Sequence, residues 1–116
     1  MIVAVQGSKT FEDYSVFIRA MGVALASLPE NDDKFHIYSA GPAKVNSMVS
    51  EFSNLSERGL RARGKKIKFF KVAPTWLKEN FDSIGYFAYL STPQDQPSAL
   101  VAEAELHNVE VGIFRY

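Results

Sequence analysis

The sequence predicts an α/β domain, a Rossmann-like three-layer αβα arrangement around a mainly parallel five-stranded sheet. Three observations carry this. Short apolar, β-branched or aromatic runs alternate with stretches whose apolar residues recur every three to four positions, in the order βαβαβαβαβ. Strands separated by helices need long crossovers, which favour parallel pairing, helices on both faces and right-handed connections. The 116 residues, 47% hydrophobic and 22% charged, have the length and composition of one globular domain.

Each element has its own local reason. Residues 2–6 are an apolar run that stops at Gly7, a buried strand leading into a tight turn. Phe11, Glu12 and Asp13 open a helix with acidic groups suited to its positive end; Val16, Phe17, Ala20, Met21, Ala24, Leu25 and Leu28 give its spacing until Pro29. After an acidic turn at Glu30, Asp32 and Asp33, residues 34–39 alternate around Phe35 and Ile37 as a second strand, closed by Gly41 and Pro42. Pro42 suits the first turn of a second helix carrying Val45, Met48, Val49 and Phe52, which frays in a Ser- and Arg-rich stretch ending at Gly59. Residues 61–66 read as a mobile loop before a third strand over 67–72. Ala73, Pro74 and Thr75 cap a short helix that starts near Trp76 and ends about Gly85. Residues 86–90 are an uninterrupted apolar strand, 91–97 a polar loop with two prolines, 98–108 an alanine-rich helix and 109–114 a last strand.

Bulk properties exclude several functions. With no cysteine there is no disulfide framework, thiolate zinc site or cysteine nucleophile, and a reducing, cytoplasmic location is expected. The apolar stretches at 23–27 and 86–90 are too short to cross a bilayer, so no membrane association or export signal is expected. His36 and His107 are too few and too scattered for a histidine metal site, and no metal or cofactor is expected. Thirteen basic and thirteen acidic residues cancel. The basic residues still crowd locally, with Arg58, Arg61, Arg63, Lys65, Lys66, Lys68 and Lys71 in one segment. A solvated loop and strand edge is the plainer explanation; a face for phosphates or nucleic acid is the sharper one.

In a parallel sheet the loops leaving the strands' carboxyl ends form the ligand crevice. Gly7, Ser8, Lys9 and Thr10 combine a close-approach glycine, two hydroxyls and a cation beside a helix amino terminus, which are phosphate-binding parts. The alternative is that Gly7 only makes the turn and Ser8 or Thr10 only caps the helix. Ser39, Ala40 and Gly41, with Lys44 in the next turn, offer a second donor cluster, and the amides near Gly7 and Gly41 are expected to converge on one anion. Thr75 and Trp76 add an aromatic that can flank a base or simply pack on the sheet. Ser91 and Ser98 bound a polar loop with the length of a ligand-closing segment. Neither a Walker motif nor the dinucleotide glycine fingerprint is present.

Val3 to Phe11, with Gly7-Ser8-Lys9 at its centre, Ser39-Ala40-Gly41 after the second strand, and Pro74-Thr75-Trp76 after the third are the segments by which the chain resembles the SLOG superfamily. That Rossmann-like nucleotide-ligand group includes YspA/YpsA-like proteins, DprA-type proteins and the LOG phosphoribohydrolases. The resemblance implies a nucleotide-derived ligand held between Gly7, Ser8 and Lys9 on one side and Ser39, Ala40 and Gly41 on the other, and a homodimer. It implies less about catalysis, because the LOG-type glycine-rich segment is replaced by Ser91-Thr92-Pro93 and Glu103 only loosely echoes its acid. The leading expectation is therefore a binding module for a nucleotide-like phosphate ligand. Its rivals are a nucleotide-processing enzyme using Glu103 or Asp95, and a small bacterial or phage regulator that acts through a protein partner.

Overall fold

The computed structural model describes residues 1–92 and 98–115. Five strands, β1 (Ile2–Gly7), β2 (Lys34–Ser39), β3 (Lys66–Lys71), β4 (Tyr86–Ser91) and β5 (Glu110–Arg115), form one sheet in the order β3-β2-β1-β4-β5. Every neighbouring pair is parallel. The connecting helices are α1 (Tyr14–Ala26), α2 (Ala43–Ala62), α3 (Pro74–Asn80) and α4 (Ala99–Leu106), with a single 3-10 turn at Phe81–Ser83 after α3. The expected three-layer α/β architecture is the observed one.

Strand alternation divides the core in two. Val3, Val5, Phe35, Ile37, Ala88 and Leu90 face α1 and α2, where they meet Phe17, Met21, Val45 and Val49. Ala4, Phe87 and Tyr89 face the other way, onto Leu77 and Phe81 beside α3 and onto Leu100, Val101 and Ala104 of α4. The layers are unequal, since α1 and α2 run 13 and 20 residues while α3 and α4 run 7 and 8. No helix among the described residues is long and apolar enough to cross a membrane.

Two expectations need correction, both around α2. The helix does not fray at Gly59 but continues to Ala62, because Leu60 is buried against the first core. Its end is set by Gly64, whose φ of 76° supplies the left-handed residue after the cap. The amide of Lys65 then donates to the Leu60 carbonyl at 2.8 Å and that of Gly64 to Arg61 at 3.0 Å. The stretch at 61–66 is correspondingly tied down: the Lys65 ammonium also donates to the carbonyls of Glu30 at 2.7 Å and Asp32 at 2.6 Å.

Candidate site at the carboxyl ends of β1 and β4

The chain builds outward from β1 through β2 to β3, then returns to add β4 and β5 on the other side. The carboxyl ends of β1 and β4 are thus the topological switch point, where connections diverge to opposite faces and sheets of this kind form their ligand crevice, called the notch below. Gly7 is in register with Leu90, and the Ser8 amide donates to the Leu90 carbonyl at 2.8 Å, so Ser8 and Ser91 follow side by side. Both are buried, at 8% and 3% exposure, and among the described residues neither hydroxyl has a hydrogen-bond partner.

Other polar groups complete the rim. Ser98 caps α4 by accepting from the Leu100 amide at 3.1 Å, and its hydroxyl donates to Gln6 Oε1 at 3.0 Å. Thr10 and Thr92 bring their hydroxyl oxygens to 3.4 Å across the notch. Lys9 is exposed on the same loop as Ser8. Gln6 and Thr92 are not among the site residues the sequence predicts, although each is polar and stands at or just past the end of an otherwise apolar strand, which is the signal that marks them.

The two helix amino termini here differ in charge. Asp13 caps α1, its carboxylate accepting from the Val16 amide at 3.1 Å, so the positive end of α1 already holds an anion. Glu12 next to it takes a hydrogen bond from Lys44 at 2.6 Å, which together with the lysine's charge holds the Glu12 carboxyl below its ordinary range. The α4 terminus is capped by a neutral hydroxyl instead.

The second predicted cluster lies beside the first but is arranged differently. The Gly7 amide donates to the Gly41 carbonyl at 2.9 Å and the Ala40 amide to Val5 at 2.9 Å, extending the β1–β2 ladder past the strand ends. The two turns therefore meet, yet the Gly7 amide is spent on Gly41 and does not converge with it on a common acceptor. Gly7 is small for a packing reason: a β-carbon there would lie 2.4 Å from Val45 Cγ2. Ser39 is fully buried and its hydroxyl donates to Asn46 Oδ1. Ala40 packs in the second core, and Lys44 is committed to Glu12.

Thr75 and Trp76 stand apart from the notch. Thr75 is exposed, and Trp76 lies flat on Tyr38 of β2, with ring centroids 4.9 Å apart and planes within 5°. Of the two candidate acids, Asp95 lies outside the described residues. Glu103 sits in the later part of α4, 3.6 Å from His107 Nε2. The structure thus brings Ser8, Thr10, Ser91 and Ser98 together with Gln6 and Thr92, and leaves Ser39, Ala40, Gly41 and Lys44 on the β2 side of β1. The basic segment is dispersed as well: Arg61 pairs with Glu57, Lys65 is bound to carbonyls, and Lys66 and Lys68 point to the opposite face of the sheet from Lys71 by alternation.

No family model, curated protein or solved structure matches the chain.

Proposed function

We propose that this chain is a cytoplasmic small-ligand-binding module whose site is the notch between β1 and β4, taking a nucleotide-like molecule through its sugar hydroxyls or phosphate oxygens. One observation carries the reading: two adjacent serine hydroxyls, Ser8 and Ser91, are buried at the switch point with no partner among the described residues. A buried polar group without a partner costs about 1–3 kcal/mol, a cost that a ligand oxygen would remove. Ser98, the neutral cap of α4, and exposed Lys9 add an anion-tolerant side to the same notch, whereas Asp13 makes the α1 side unfavourable to phosphate. The resemblance of Gly7-Ser8-Lys9 to the nucleotide-ligand superfamily supports the same choice of ligand class.

A thermal-shift series with nucleoside mono-, di- and triphosphates, dinucleotides and nucleotide sugars tests it. At a ligand concentration a hundredfold above Kd, binding adds about 2.7 kcal/mol, which raises the midpoint by on the order of ten degrees for a chain of this size. In the Ser8→Ala/Ser91→Ala double variant the midpoint without ligand is expected to stay level or rise, because two unsatisfied groups are gone, while the ligand-induced shift disappears. A shift that survives in the double variant, or its absence with every nucleotide, would overturn the reading.

A further inference from the structure

The face of the sheet that α3 and α4 cover is only partly covered. Those helices lie over Ala4, Phe87 and Tyr89 of the central strands, and from α3 Trp76 reaches β2, where it meets Tyr38. What the rest of that face carries is unusual in two ways. First, it is aromatic: Tyr38 stacks on Phe70 of the edge strand β3 with centroids 4.7 Å apart and planes within 23°, and His36 meets the same ring edge-on at 5.9 Å. Trp76, Tyr38 and Phe70 make a continuous stack running from α3 to the sheet edge, and Phe70 at its end is 38% exposed. Second, it is cationic. Register pairs Lys34 with Lys66 and His36 with Lys68, so three exposed lysines line the same face next to the rings. Neither β2 nor β3 contains an acidic residue.

An apolar residue with a π face at a sheet surface and a row of lysines have separate ordinary explanations, burial for one and edge protection for the other. Together they fit one partner. A polyanion without exposed rings would leave the stack unused, and a second copy of this chain would set lysine against lysine. Double-stranded nucleic acid keeps its bases stacked inside. We infer that the open β2–β3 face is a platform for single-stranded nucleic acid, a base stacking on Phe70 while Lys66, Lys68 and Lys34 follow the phosphates. Lys66 and Lys68 are two residues apart on one strand, about 6.6 Å along it, so they can serve successive backbone positions. This surface is distinct from the β1–β4 notch, and it stands or falls independently of the small-ligand site.

The test uses the intact chain and a fluorescein-labelled oligothymidylate of about twelve nucleotides, read by anisotropy across a salt series. Three phosphate contacts give a slope of about −2 in log K against log salt, since each contributes about 0.7 on a single strand. Trp76 is the only tryptophan in the chain, so its fluorescence reports a base added to the stack. Phe70→Ala is expected to weaken binding by about fivefold or more at unchanged salt slope, and Lys66→Ala/Lys68→Ala to flatten the slope to about −0.7. Ser8→Ala/Ser91→Ala is expected to bind the oligonucleotide normally. Lys68→Glu, a surface change, serves if either of the other variants is poorly folded, and it is expected to abolish binding. No binding at low salt, equal affinity for a duplex of the same length, insensitivity to Phe70→Ala and Lys68→Glu, or a dimer that occupies this face without nucleic acid would each overturn the inference.

Discussion

The two histidines show how much one residue's surroundings decide. His107 shares a hydrogen bond with Asp82 at 2.8 Å and sits near Glu103, and its pKa is raised above the ordinary value near 6.5, chiefly by the bond with Asp82. His36 is pushed below that value, first by burial and then by the charges of Lys68, the amino terminus and Lys34. The signs for stability are therefore opposite. The raised His107 contributes stability that is fully present below its unfolded pKa and is lost as pH rises through its folded value; the depressed His36 contributes stability present above its unfolded pKa and lost as pH falls. A two-dimensional NMR titration is expected to give two separate midpoints either side of 6.5, with only the higher one moving down in Asp82→Asn. Coincident midpoints would contradict the geometry of both. At this scale the sequence is legible as residue type but not as role. Gly7 reads from sequence as a place where a ligand approaches the backbone, and it is the methyl of Val45 that approaches it. The hydroxyls of Ser8 and Ser91 are ordinary until the fold buries them without partners among the described residues.

Elements are easier to read than their ends. All five strands and four helices are where periodicity puts them, because one face of each must be buried and the spacing of apolar residues records that face. The end of α2 escapes the same reasoning because Gly59 and Gly64 look alike in sequence while their backbones differ. Gly59 is an interior helix residue with open space where a β-carbon would stand, and Gly64 has a φ of 76°. Opposite effects follow: Gly59→Ala is expected to stabilise the chain by about 0.5–1 kcal/mol, and Gly64→Ala to destabilise it by about 1–2 kcal/mol. Denaturant midpoints at constant m-value check the pair, and like-signed changes would mean that the helix ends elsewhere. The brevity of α3 is also an element-scale property: seven residues cannot span β2 and β3, which is why the Phe70 edge of the aromatic stack reaches solvent.

Strand order is the whole-molecule property that local pattern does not disclose, since it depends on which strands are buried on both faces. Part of it is nonetheless written in the strands. Tyr86–Ser91 is buried at every position and lies inside the sheet, while Lys66–Lys71 carries three lysines, is exposed at four of its six positions and forms an edge. The switch point, and with it the notch, becomes visible only once β1 and β4 are known to be neighbours. The unequal helical layers have a further consequence. With 13 and 20 residues on one side and 7 and 8 on the other, the thin side has less to hold it, and its amides should open to deuterium first. Native-state exchange is expected to rank α3 and α4 well below β1 and β4 in protection, and uniform protection would refute this. Because Ser98 caps α4 while Ser8 directly follows β1, a molecule lodged between them would bridge the layer expected to open first and the one expected to open last, so that occupancy would be felt most as a quieting of α4.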